Sequence, residues 1–230
     1  TIKVTDSTGN ESNIITVTVF NILPNGLIAY YPFIGNANDK MNSYNGTVSG
    51  ATLSTGRNNV NDSAYLFDKN ASNYIEFGTG MLSGNGEFSI LIWINTTQTS
   101  FARIHQQRDA GGYNGEYMLD LKSNGKMKFT TFSGGSYKWS ATSNEVINDG
   151  DWHHIALVQK DNGGQMYLNG ILNQSDNVSG KVTLLSTLKT YIGGDLRGNN
   201  SFFSGKVDDL KIFNRALTEN EIQFLFNITD

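Results

Sequence analysis

The chain of 230 residues contains no cysteine. That excludes disulfide stapling and thiol chemistry together. The fold must be held by its apolar interior, and 38% hydrophobic residues suffice for one such core. Proline is nearly absent too, with 2 residues against 25 glycines. Charge is sparse: 17% of residues are charged, the net charge is −4, and Lys and Arg form no run. A nucleic-acid surface needs a basic stripe to neutralise phosphates, so that partner class is excluded. No apolar run reaches membrane-spanning length, and membrane insertion is not expected. Secreted animal domains of this kind usually carry bridges, so a cysteine-free chain points to a bacterial surface or secreted protein.

Asn-Gly dipeptides punctuate the sequence, among them those at 45–46, 85–86, 114–115, 124–125, 162–163 and 169–170. Such pairs tolerate the positive φ of tight hairpin turns, so antiparallel β-structure is expected. Strands are expected at Leu27–Phe33, Ala64–Asp68, Tyr74–Phe77, Glu87–Asn95, Phe101–Gln107, Glu116–Lys122, Lys126–Phe132, Trp152–Gln159, Gln165–Leu168, Lys189–Ile192 and Lys206–Phe213. Residues 88–94 are apolar at nearly every position, as in a strand buried on both faces. One helix is expected, at the C-terminus, where Thr218 and Glu221 have the spacing of a capping box. The fold class is all-β: a two-sheet antiparallel jelly-roll sandwich with one short C-terminal helix.

Several segments carry a family resemblance in order: Leu27-Ile-Ala-Tyr-Tyr-Pro-Phe33, Ala64-Tyr-Leu-Phe-Asp68, Phe88–Ile94, Asp151-Trp-His-His-Ile155, Met166-Tyr-Leu-Asn-Gly170, and Gly205–Leu217 running into the capped helix. Together they resemble laminin G-like jelly rolls of the concanavalin A-like lectin/glucanase type. Residues 27–230 are read as that domain. Residues 1–20 alternate as a hairpin and resemble the end of a bacterial immunoglobulin-like module; 21–26, with Pro24, form a linker. The chain is therefore expected to be part of a longer protein, beside neighbouring domains.

The resemblance makes the first and last strands neighbours, which would bring Asp208 or Asp209 near the Asn-rich loop holding Asn36 and Asp39. These four are candidate ligands for a structural Ca²⁺, which wants six to eight oxygens. The alternative is an Asn/Asp turn with no metal. At most one of Asp208 and Asp209 would face the loop from a regular strand.

Candidate ligand-binding residues are Arg108, Asp109, Tyr113, Tyr137, Trp139, Asp195 and Arg197, all in expected loops that mix aromatic, amide and charged groups. Tyr137 and Trp139, two apart, should share a face, whether as ligand-binding residues or as core or rim residues of a strand. No catalytic residue is expected. Glu116 and Asp120 would lie about 13 Å apart along a strand, beyond the roughly 5–9.5 Å of a glycosidase pair. There is no Gly-x-Ser-x-Gly elbow. Adjacent His153 and His154 point to opposite faces and cannot chelate together. The expected function is a non-catalytic extracellular recognition module binding glycan or a protein ligand in adhesion. The alternatives are a structural spacer and an accessory domain of a secreted glycoside hydrolase or protease.

Overall fold

A computed structural model of the chain describes residues 23–108, 113–177, 181–194 and 201–228. The expected N-terminal hairpin lies outside the described residues, as do residues 21 and 22 of the linker.

The strands are β1 (Leu27–Tyr31), β2 (Thr47–Ser49), β3 (Thr52–Ser54), β4 (Ala64–Phe67), β5 (Tyr74–Thr79), β6 (Gly84–Asn85), β7 (Phe88–Asn95), β8 (Ala102–Arg108) and β9 (Glu116–Leu121). They continue with β10 (Lys126–Ser133), β11 (Ser136–Val146), β12 (Trp152–Lys160), β13 (Gly163–Leu168), β14 (Ile171–Asp176), β15 (Thr183–Leu184), β16 (Lys189–Ile192) and β17 (Gly205–Phe213). Helix α1 (Glu219–Asn227) follows. It is capped as the sequence requires: Thr218 Oγ1 accepts from the Glu221 N–H, and Glu221 accepts from the Thr218 N–H at 2.8 Å.

One sheet runs β14-β13-β12-β7-β17-β4-β3, with β1 also pairing β17. The other runs β11-β10-β9-β8-β16-β5-β2, and β15 with β6 forms a small ribbon. The strand pairs are antiparallel. The first and last strands are neighbours as expected, with Tyr31 opposite Leu210 and Leu27 opposite Phe213. Turn chemistry sets the hairpins. Gly125 has φ +78° between β9 and β10, and a Cβ there would lie 2.0 Å from Asn148 Oδ1.

The layers meet over a continuous apolar interior that includes Tyr31, Phe77, Ile92, Tyr117, Phe129 and Trp139. Tyr31 of β1 lies 4.5 Å from Phe77 of β5, ring to ring across the two sheets. Polar groups bridge the sheets as well: Thr131 Oγ1 donates to Gln159 Oε1 at 3.1 Å. On the outside of the eight-stranded sheet, α1 buries Leu91, Val158 and Phe213. This second cover makes β7 apolar on both faces.

Sequence reading missed the short strands β2, β3, β6 and β15 and the longer β11 and β14. β11 and β14 mix Ser, Asn and acidic residues into the pattern, where β-branched and aromatic residues would mark a strand. They are edge strands, and side-chain amides join them: Asn144 N–H donates to Asn173 Oδ1 at 2.9 Å, and Gln174 Nε2 to Asn144 Oδ1 at 2.7 Å.

His105 and His154 are both buried, the first against Tyr117, the second against Trp93 and Phe226. Burial lowers both from 6.5 to about 3. Between those values the unfolded chain binds protons that the folded chain refuses. Their contribution is therefore full above pH 6.5 and is lost as pH falls toward 3. Each costs about 1.4 kcal/mol per pH unit in that window. Urea melts at stepped pH should show stability falling on acidification below 6.5, with His105→Phe and His154→Phe each halving the slope. A flat profile would show that these rings accept protons in the fold.

Candidate functional site

At one end of the seven-stranded sheet, the register lays a row of side chains across four strands. Glu116 of β9 stands opposite Phe132 of β10, and Phe132 opposite Tyr137 of β11. Arg108, at the end of β8, joins the row through Nε, 3.0 Å from Glu116 Oε2. Tyr113 closes it from the segment before β9, its ring 4.8 Å from that of Phe132. On the other side the Tyr137 ring lies 4.4 Å from Phe132. Phe132 is buried, whereas Tyr113 and Tyr137 are 52% and 63% exposed. The Arg108 guanidinium lies 5.4 Å from the Tyr113 ring centre.

The segment holding Tyr113 is tied to the turn before Tyr137, where Asn114 Oδ1 accepts from the Gly134 N–H at 2.8 Å. Gly134 and Gly135 have φ +60° and +74°, which lets the chain reverse tightly there. The result is a two-tyrosine platform on a phenylalanine base, with a buried ion pair alongside. Of the candidate ligand-binding residues, it unites Arg108, Tyr113 and Tyr137. Asp109, Asp195 and Arg197 lie outside the described residues. Sequence reading omitted Phe132. Its signal was there: it falls out of phase with the inward-facing Met127 and Phe129 of the same strand.

Trp139 does not join the platform. It is 1% exposed, packed on Phe129 with ring centres 5.1 Å apart. The expectation that it shares a face with Tyr137 fails because the ladder slips. Thr131 pairs Trp139 while Phe132 pairs Tyr137, so Lys138 is an extra residue in β11. Gly164 makes room for the indole from the opposite sheet, since a Cβ there would lie 2.4 Å from the ring.

The four candidate metal ligands do not form one oxygen shell. Asp39 Oδ1 accepts from the N–H groups of Tyr30 and Met41, and Oδ2 from those of Ser43 and Tyr44, at 2.8–3.1 Å. Four donors occupy the roughly four acceptor positions of a carboxylate. Asn36 Oδ1 accepts from the Asn38 N–H at 2.8 Å, as in an Asx turn. The Arg57 N–H donates to Asp208 Oδ2, and Arg57 Nη2 lies 3.2 Å from Asp209 Oδ2. Lys211 Nζ meets Asp209 Oδ1. The opposite-faces expectation for these two aspartates also fails. Asp209 has φ +51°, and the β17 ladder slips between Asp208 and Lys211, so both carboxylates reach Arg57. Among the described residues no group of three or more His, Asp or Glu is placed to hold a metal ion. A donor set filled by N–H groups, arginine and lysine does not fit Ca²⁺.

Nor do the acidic residues of β9 make a catalytic pair. Asp120 Oδ1 lies 2.8 Å from Arg103 Nε, and Glu116 is held by Arg108. Burial raises the Asp120 carboxyl, with Arg103 opposing. His153 Nε2 is hydrogen-bonded to Asp149 at 2.9 Å, away from buried His154. A cleft of about 630 Å³ lies between the start of β1 and residues 80–88, with Glu87 as its one charged side chain.

Two outcomes follow. Trp139→Ala should cost about 3–5 kcal/mol in urea melts, whereas Tyr137→Ala should stay within about 0.5 kcal/mol; equal costs would refute the bulge. Excess EDTA should leave the melting temperature where it stands, because the Asp39 and Asp209 oxygens are already occupied. A calcium-dependent rise would put a cation back at this corner.

A family model described as the concanavalin A-like lectin/glucanases superfamily, of laminin G type, matches residues 68–223. Among solved structures, the chain is similar to domain 4 of AbnA, a GH43 extracellular arabinanase from Geobacillus stearothermophilus, solved in complex with arabinotriose. That match has TM-score 0.71 and 17% identity, and covers 87% of this chain and 98% of that one. It is also similar to the binding domain of Paraclostridial Mosquitocidal Protein 1, at TM-score 0.70 and 18% identity, covering 88% and 52%. A third is the botulinum neurotoxin serotype D ligand binding domain in complex with N-acetylneuraminic acid, at TM-score 0.66 and 18% identity, covering 87% and 50%. The chain thus spans about half the length of the two toxin domains. No curated protein sequence matches it. With the family model covering more than half of its length and the two-sheet architecture in place, the chain belongs to the concanavalin A-like lectin/glucanases superfamily.

Proposed function

We propose that this chain is a non-catalytic recognition module that binds carbohydrate on the Tyr113–Phe132–Tyr137 platform. The observation that carries this reading is the pair of exposed tyrosine rings held on a buried phenylalanine. Large exposed aromatics cost a protein solvation and mark contact surfaces. Rigid rings beside a hydrogen-bonding ion pair suit the flat, hydroxyl-rimmed face of a sugar.

Arabinotriose in the arabinanase domain and N-acetylneuraminic acid in the neurotoxin domain support a glycan ligand. The engagement of Glu116 and Asp120 by arginines supports the non-catalytic part of the reading, since among the described residues it leaves β9 without a free carboxylate pair for hydrolysis. The module would work outside the cell, as part of a longer protein. A second reading, an accessory domain of a polysaccharide-degrading enzyme, is favoured by the arabinanase domain, whose whole length this chain matches.

A glycan array followed by calorimetry tests the site. Tyr137→Ala and Tyr113→Ala should each weaken a detected ligand about tenfold or more, with melting temperature unchanged. Undiminished binding in both variants would move the site to the cleft beside β1.

A further inference from the structure

We propose that the platform selects uncharged sugar rings and discriminates against carboxylated ones. The inference rests on the reading of the platform as a glycan site and adds the charge class of the ligand.

Among the described residues, the cation set at a platform ring is Arg108, 5.4 Å from the Tyr113 ring centre, and it already holds a carboxylate. Its Nε is 3.0 Å from Glu116 Oε2, with side chains 8% and 1% exposed. A sugar carboxylate arriving over Tyr113 would meet the negative charge of Glu116 beside the positive charge of Arg108. It would surrender its hydration for little net attraction. Toward β8 and β16 the described cations of the same face are likewise matched, which leaves Lys128 of β10 and Lys138 of β11 as positive charges without an ion pair among the described residues. Lys189, opposite Arg108 in the ladder, lies 2.7 Å from Glu76. Arg103 lies 2.8 Å from Asp120. The rings add to the discrimination, because the electron-rich face of an aromatic ring repels an anion. A neutral ring pays none of these costs. It can stack on Tyr137 and Tyr113 and still exchange hydrogen bonds with their hydroxyls.

The test takes the chain with matched neutral and acidic glycans: glucose and glucuronate oligomers, galactose and galacturonate oligomers, lactose and sialyllactose. In every pair that binds, the neutral member should bind about tenfold tighter or better. Its Kd should change less than about twofold between about 50 and 500 mM NaCl, because screening does not act on an uncharged ligand. Glu116→Gln removes the carboxylate that Arg108 Nε meets, and should narrow or reverse the preference while making acid binding salt-sensitive. Should that variant fail to fold, the salt series on the unmodified chain still decides. Tighter binding of an acidic member, weakened by salt, would overturn the inference and leave the glycan reading standing; Lys138, next to Tyr137 in β11, would then be the recruiting charge. Equal affinity for both members would overturn it as well. Failure of every glycan to bind would refute the glycan reading itself.

Discussion

Arg57 holds the point at which the last strand changes neighbours. Along one edge β17 pairs β7 from Lys206 to Phe213. Along the other it pairs β4 through Gly205–Val207, then β1 from Leu210 onward. The handover falls at Asp209, which sits in the left-handed region at a cost of about 1 kcal/mol or more. What offsets that strain is the Arg57 contact to both aspartates, together with Lys211 on the far oxygen of Asp209. Arg57 also lies 4.8 Å from the Trp93 ring centre and donates to the Ile228 carbonyl at the end of α1. One guanidinium thus joins the sheet, the bulge and the helix that covers them. Pairings between residues this far apart in sequence close large loops, so the eight-stranded sheet completes only after most of the chain is ordered.

Much of this architecture was legible because strand and turn chemistry agree. The Asn-Gly turns, the doubly apolar β7 and the Thr218–Glu221 cap each dictate their local structure. The two misreadings share one cause. Alternation along a strand is a rule of the regular pleat, and a single added residue cancels it. At Lys138 the added residue separates Tyr137 from Trp139; at Asp209 it brings two neighbouring carboxylates to one arginine. Neither bulge carries a glycine to announce it. The Asn-rich loop deceived in another way. Its oxygens resemble a cation cage in composition, but the backbone around Asp39 turns its N–H groups inward and fills the carboxylate.

The same bulge that hides Trp139 builds the two-tyrosine platform. With regular pairing Tyr137 would point inward with the indole, and Phe132 would lose its outer flank. The slip gives β11 one large ring for each side: Trp139 fills the space above Gly164, and Tyr137 stands outside against Phe132. Core packing and exposed display are thereby decided by a single residue of register. The platform also inherits rigidity from the sheet beneath it, so little ordering remains to be done when a ligand arrives.

Arg215 ties two distant segments together. Its Nε donates to the Asn25 carbonyl at 2.8 Å and its Nη1 lies 3.0 Å from Glu221 Oε2, so it buckles the incoming chain to the first turn of α1. Leu27 faces Phe213 at that same end of the β1–β17 ladder. A pull applied through the flanking backbone would therefore load the hydrogen bonds one after another, as a zipper opens, and not all at once in shear. Once the buckle slips, the β1–β17 pairing opens one rung at a time from Leu27.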